Sequence, residues 1–250
     1  MFQRGSGPGS LQPWCSDQGS KISSGVSIWA SLLIQFVLPF FHKWFLSHTR
    51  KFFKEMKKVY QTILRRRSIR RFKQIEIPFE TLRKLIEAAR VAPSAANLQP
   101  LEYIIVDDRE LTKKVFATLE WAGYIAPAGN PPPEEKPVAY VVVLVNTQIK
   151  NLGYEWDAGA AIENILLAAL EDDIGSCWIR SINRERLAKI LNIPKHLRID
   201  SVIALGYSNE DPVVEEMEDS IKYWKDSLGR LHVPKRKLKD ILHKNRSEKI

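Results

Sequence analysis

The chain has 250 residues, 44% hydrophobic and 27% charged, which suits one domain plus an appendage with enough apolar side chains for a real core. Its two cysteines, Cys15 and Cys177, exclude a disulfide scaffold. The net charge of +9 keeps nucleic acid, an anionic membrane surface and an anionic small ligand open as partners; residues 1–55 supply +4 of it and residues 56–250 the remaining +5.

Residues 1–25 are rich in Gly and Ser and read as disordered. Residues 26–46 are apolar but broken by Ser27, Ser31, Gln35 and Pro39, too short an uninterrupted run for a spanning helix. Three readings stand: a membrane-surface anchor, a packing arm, or an extension from upstream translation ahead of Met56. The third is favoured, so residues 1–55 are expected to lie outside the fold and residues 56–250 to form the domain.

Helical spacing runs through 57–67, with Val59, Ile63 and Leu64 on one face. Residues 78–91 predict a strong helix, Pro78 at its first position and Leu82, Leu85, Ile86 and Ala89 at helical period. Leu101–Val106 reads as a strand, and a helix over about 108–119 follows. The loop 127–137, with five prolines, is a long connection of the kind that forms lids or linkers. Val138–Val145 is a valine-rich buried strand. Asp157 is expected to cap a long helix to about 172 that is apolar on nearly every side. Cys177–Ile179 makes a short strand with a buried thiol, Asn183 caps a helix to about 191, Ile199–Leu205 is a strand ended by Gly206, and 236–243 a last short helix. Strands and helices mix without βαβ alternation, so the fold class is α+β.

Four constellations carry chemistry. Arg65-Arg66-Arg67-Ser68-Ile69-Arg70-Arg71 clusters forked donors that match phosphate oxygens, or else is a solvated basic helix end. Pro93-Ser94-Ala95-Ala96-Asn97-Leu98-Gln99-Pro100 puts short polar groups on a loop between two prolines, suited to a heteroaromatic ring edge, or else is a plain connection. Gly175-Ser176-Cys177-Trp178-Ile179-Arg180-Ser181 follows the buried helix. His232-Val233-Pro234-Lys235-Arg236-Lys237-Leu238 is a second basic cluster. No histidine sits at metal-ligand spacing with another, so no metal is predicted. No strand–GxGxxG–helix unit is present either.

In that order and spacing, with Ala204-Leu205-Gly206-Tyr207 between the last two, these motifs resemble the flavin-dependent nitroreductase family from about Met56 to the C-terminus. The resemblance implies an α+β fold with a central, mostly antiparallel sheet flanked by helices, and an intertwined homodimer with flavin mononucleotide (FMN) at its interface. It implies that Arg66, Arg67, Ser68 and Arg70, joined by Lys235 and Arg236, hold the flavin phosphate and ribityl chain. Pro93, Ser94 and Asn97 would reach the flavin from the partner chain, and the backbone of Ile179, Arg180 and Ser181 would face the reactive ring edge. Three departures bear on these contacts: Ser181 stands where many members have glycine, Leu101 where many have tryptophan, and the terminal motif lacks the proline common before its leucine.

The implied activity is that of an FMN-dependent oxidoreductase in which NAD(P)H reduces the flavin and an oxidised small molecule, a nitroaromatic or quinone, then takes its place by a ping-pong scheme. The flavin N5 carries the chemistry, so no side chain is assigned as catalytic. Glu120, Tyr124 and Lys136 lie on the segment that covers the flavin in this family; a carboxylate, a phenol and an ammonium there resemble the halotyrosine dehalogenase branch, or else are packing and solvated charge. A rival class is a non-catalytic flavin binder, or a basic surface-binding protein. The expected location is cytoplasmic, with membrane contact through 26–46 as the alternative, and no nucleic-acid partner.

Overall fold

The computed structural model describes residues 58–247. The expectations for residues 1–55 lie outside them, as does the start of the first helix.

Five antiparallel strands make the central sheet. Helix α1 covers residues 58–65. Strand β1 (Phe72–Lys73), helix α2 (Phe79–Arg90), β2 (Leu101–Val106), α3 (Arg109–Phe116), β3 (Ala139–Asn146), α4 (Glu155–Glu171), β4 (Ile174–Ile179), α5 (Arg184–Ile190) and β5 (Leu197–Ser208) follow. The long β5 is the organiser. It pairs with β3 along 197–205, with β4 along 202–207, and with the short β1 at Tyr207 and Ser208. β2 closes the far edge against β3. A second, small sheet places β8 (Leu231–Lys235) between β6 (Val213–Glu216), in parallel, and β7 (Trp224–Lys225), antiparallel.

Alternation along the valine run divides the core in two. Val141 and Val143 face α2 and α4, where Leu82, Leu85, Ile162 and Ile165 are fully buried. Tyr140, Val142 and Leu144 face the other way, onto Phe72, Val115, Leu187 and Cys177. A strand buried on both faces needs no polar alternation, which is why β3 reads as a continuous apolar run.

Several predicted boundaries shift. Asp157 does not cap α4: the helix starts two residues earlier, and Asp157 is a buried carboxylate within its first turn. Asp108 and Asn183 do cap their helices, Asp108 accepting from the amides of Glu110 and Leu111 and Asn183 from that of Arg186. α3 ends at Phe116 and not near 119. Gly206 does not end β5, which runs on to Ser208. Residues 236–243 form one 3₁₀ turn, Leu238–Asp240, in place of a helix.

The segment after α1 is docked on the sheet by two close approaches. Ile69 donates its amide to the Ser176 carbonyl at 2.9 Å, and a Cβ at Gly175 would sit 2.9 Å from Ile69 Cγ2. Directly opposite Gly175 on the neighbouring β5, a Cβ at Gly206 would sit 2.8 Å from Phe72 Cδ1. Both glycines leave room for a buried side chain, so Gly206→Ala is expected to cost roughly 1–3 kcal/mol by overpacking. Thermal unfolding of Gly206→Ala, Phe72→Leu and the double variant checks this: the double variant should recover part of the loss, and strictly additive losses would remove Phe72 as the obstacle.

Candidate active site

The docked segment divides its guanidinium groups between two adjoining clefts. Ile69 and Ser176 line one of about 490 Å³ together with Arg66, Arg67 and Glu210. Their chain neighbours Arg70 and Cys177 line a second of about 490 Å³. Ser68 bridges Ser176 on β4, so the boundary between the clefts is this short contact of segment and strand.

The first cleft carries both signs, lined by Arg65, Arg66 and Arg67 and by Asp173, Glu210 and Asp211. Arg66 pairs with Glu163 at 3.4 Å. Arg67 meets no carboxylate within salt-bridge distance among the described residues and hydrogen-bonds the Arg66 carbonyl. Burial first, then the neighbouring Arg66 charge, lowers its pKa. Arg67 is thus the guanidinium of this cleft whose forked donors are left over for an anion. Arg71, left out of the predicted ligand set, is neutralised by Glu135, which also accepts from Asn209 at 2.6 Å. Glu210 accepts from the backbone amides of Arg70 and Arg71 and so holds the segment through its main chain.

The second cleft gathers residues distant in sequence. It is lined by Arg70, Glu120, Ile179, Arg180 and Ser181, all predicted, and by Trp121, Trp178 and Tyr223, which were not. Glu120 is zipped to the 179–182 segment: its amide donates to the Ser181 carbonyl at 3.0 Å and Leu119 bridges Ile182. A register shift between β3 and β5 leaves Asp200 as an extra residue on β5. Its carboxylate, 3% exposed, lies 3.5 Å from the Arg180 guanidinium. A bulge re-aims a side chain, and here it orients a cleft residue. The Arg70 Nε is buried and has no hydrogen-bond partner. Cys177 is a free buried thiol whose pKa burial pushes up, unsuited to nucleophilic work.

Other predicted residues lie elsewhere. Pro93 and Ser94 line a separate cavity of about 140 Å³. Their loop is built on left-handed backbone, with φ of 53° at Ala96, 55° at Asn97 and 50° at Gln99. Ser94 Oγ accepts from the Gln99 amide at 3.0 Å, and Asp157 accepts from the Ala95 amide at 2.9 Å and from Lys150 Nζ at 2.7 Å. Lys235 ends β8 beside Glu216, and Arg236 donates to the Asp240 carbonyl at 3.1 Å; neither lines the Arg66 cleft. Glu120, Tyr124 and Lys136 are not brought together: Tyr124 packs on Tyr223 and is not among the residues that line the second cleft, and the Lys136 ammonium sits 4.2 Å over the Phe116 ring, at another cavity of about 440 Å³.

The comparisons agree with this architecture. Residues 63–207 match the family model described as Nitroreductase family. The chain belongs to that family. It is 35% identical over 171 residues to a protein of Archaeoglobus fulgidus named NADH dehydrogenase/NAD(P)H nitroreductase, covering 66% of this chain and 93% of that one. It is 26% identical over 170 residues to an iodotyrosine deiodinase of Thermotoga neapolitana, covering 62% and 91%. Among solved structures it resembles a nitroreductase of Desulfovibrio desulfuricans in complex with FMN, at TM-score 0.53 and 26% identity, covering 64% of this chain and 92% of that one. Among the described residues no helix is long and apolar enough to cross a membrane.

Two ion clusters near the clefts give measurable expectations. Asp157 is 4% exposed; burial works to raise its pKa, but the Lys150 and Ala95 hydrogen bonds outweigh it and the net shift is downward. Removing one partner of a buried pair strands the other, so Asp157→Ala should cost about 3–5 kcal/mol, with Asp157→Asn milder; urea unfolding of both checks it. In the small sheet, His232 is flanked by Glu215 at 2.8 Å and Asp226 at 3.4 Å and stacks on Trp224 at 4.2 Å. The Glu215 hydrogen bond, chiefly, raises the histidine pKa. Glu215 is lowered by Trp224 and then His232, and Asp226 by the Arg230 amide first. The cluster should therefore stabilise most at mildly acidic pH. Its contribution is lost upward as His232 deprotonates above its ordinary value, and downward as the two carboxylates protonate. Amide exchange of β6–β8 against pH, flattened by His232→Gln, is the readout.

Proposed function

We propose that this chain is an FMN-dependent NAD(P)H oxidoreductase that passes electrons to a small oxidised substrate. The observation that carries the reading is the division of one docked segment between two adjoining clefts, with Arg66 and Arg67 in one and Arg70 in the other. A cleft with forked guanidinium donors left over suits a phosphate monoester, and an adjoining cleft with aromatic rings among its lining suits a flat heterocycle. The buried, partnerless Arg70 Nε fits a polar atom of such a ring. When bound, FMN supplies the hydride-accepting and electron-donating centre. NAD(P)H and the oxidant use the same cleft in turn, a ping-pong scheme.

In this reading Arg66, Arg67, Ser68 and Arg70 hold the phosphate and ribityl chain. The Arg180 side chain is held by Asp200, which leaves the Ile179–Ser181 backbone facing the ring. Pro93, Ser94 and Asn97 reach a flavin only across a homodimer, since their loop stands apart from both clefts in its own chain. The dimer is further supported by exposed apolar side chains, among them Val59, Tyr60 and Trp156. Lys235 and Arg236 complete the phosphate site by the same route. A cytoplasmic location belongs to the same proposal and suits the free thiol of Cys177.

A second reading has one specific support. Glu120 lines the cleft, and the likeness to the deiodinase supports a reductive dehalogenase of halotyrosine-like substrates, in which Glu120 would meet the substrate without Lys136, which is turned onto Phe116 at another cavity. Halide release from 3-iodotyrosine by the reduced protein would favour it over nitroarene or quinone reduction.

The purified protein is expected to show flavin absorption that bleaches anaerobically with NADH or NADPH. Arg66→Glu/Arg67→Glu should weaken FMN binding on the order of a hundredfold or more, since each charge-assisted hydrogen bond contributes about 1.5–3 kcal/mol, while the far-ultraviolet circular dichroism is retained. Undiminished FMN stoichiometry in that double variant removes the phosphate assignment.

A further inference from the structure

One wall of the aromatic-lined second cleft, at Tyr223, has no individual role in the flavin-reductase reading. It is built from two segments nearly a hundred residues apart. The 3₁₀ turn Gly123–Ile125 carries Tyr124, and strand β7 with the residue before it carries Tyr223. The two phenol rings lie 5.0 Å apart at 53°. Lys225 Nζ donates to the Ala128 carbonyl at 3.4 Å, a second tie between the segments. Lys222 approaches the Tyr124 ring at 6.0 Å.

Tyr223 is placed from three sides. Tyr124 packs on it. The Arg70 guanidinium stands 5.1 Å from its ring centre, so the ring is fixed against a residue of the predicted flavin set. Behind it, Trp224 Nε1 donates to Glu215 at 2.8 Å, and the Trp224 ring stacks on His232, so β7 is fastened to β6 and β8 by side chains as well as by its two-residue pairing. Tyr223 is half-buried, and it still lines the cleft. A side chain that completed only the core would be buried away from the cleft, and a solvated one would not be held this firmly.

From this arrangement we infer that Tyr223, backed by Tyr124, is the specificity-determining residue for the oxidant and selects molecules built on a planar, electron-poor ring. The inference rests on the flavin-reductase reading above and names the residue that selects its oxidant. Phenol and indole faces carry negative quadrupole charge and stack best on rings depleted of electrons. Trp178 and Trp121 line the same cleft, so three aromatic side chains stand among its aliphatic ones and offer faces for stacking. Arg70 makes the wall respond to the cofactor's own binding residues, which sets its place relative to the flavin.

The test uses the FMN-loaded protein with NADPH as reductant. The quantity is the ratio of kcat/KM for 4-nitrobenzoate and 1,4-benzoquinone to that for ferricyanide, an oxidant with no ring to stack. Tyr223→Leu should lower both ratios about two- to tenfold, the worth of one aromatic contact, and Tyr223→Phe should restore them. A ratio unchanged in Tyr223→Leu overturns the inference, because the loss is then general or absent. A ratio that falls equally in Tyr223→Phe overturns it too, because the hydroxyl and not the ring would be acting. Failure of the underlying reading looks different: wild-type protein that takes up no FMN, or whose flavin NADPH does not bleach, overturns both.

Discussion

Everything in the candidate site depends on Ile69 and Phe72 being able to reach the sheet through missing side chains at Gly175 and Gly206. Burying these two residues, 8% and 0% exposed, removes apolar surface from water and fixes the backbone between them. The charged residues of the segment then have no choice of direction. In Ser68-Ile69-Arg70-Arg71-Phe72 the buried positions act as pegs, and of the two arginines between them Arg70 lines the second cleft while Arg71 turns to Glu135. Glu210 secures the same stretch through main-chain amides, so the carboxylate holds the segment without consuming an arginine charge.

That economy of counter-charge explains why the basic run reads as a small-anion site. Carboxylates are present throughout, yet most are engaged elsewhere. Glu135 neutralises Arg71, Asp200 orients Arg180, and Asp157 answers Lys150. Arg67 and Arg70 are left without an ion pair among the described residues, and both are partly withdrawn from water. A nucleic-acid surface presents its cations along an exposed stripe where a phosphate backbone can reach them in succession. Here Arg67 and Arg70 are recessed in clefts and form no exposed stripe.

What the sequence made legible follows from the range of the interactions involved. The valine run of β3 and the Ala/Leu pattern of α4 are local signals that a buried sheet and a buried helix cannot avoid, and both were read nearly to the residue. Asp157 was misread because an acidic residue before an apolar run is the ordinary sign of a cap. Its partners are the amide of Ala95 and the ammonium of Lys150, and the first is 62 residues away, invisible to any local rule. The small sheet was missed altogether. Its strands are two to five residues long, β6 carries two glutamates and β8 a proline, so they exist only because β8 lies between two partners and His232 between two carboxylates. Of the site, the arginine run and the 179–181 turn were visible as motifs. The wall residue Tyr223 sits in a stretch with neither period nor motif. Lys136 was grouped with Glu120 and Tyr124 by nearness in sequence, and the chain turns its ammonium onto Phe116 instead.

The loop at 93–100 concentrates rigidity at one point of the chain. Three non-glycine residues in left-handed backbone cost of order 1–3 kcal/mol each, and such strain persists only where the surroundings over-determine it. The surroundings are an ion pair buried against the start of α4 and the Ser94 hydroxyl. Nothing within the same chain needs that expense, since the loop touches neither arginine-lined cleft. In the proposed homodimer, a strained, anchored loop displaying Asn97 and Leu98 outward is what a shared site requires: each chain would hold its proposed phosphate cleft by pegs in glycine notches and offer its partner a loop already fixed in shape. Association would then order little that was not ordered before, which lowers the entropic cost of building a composite site.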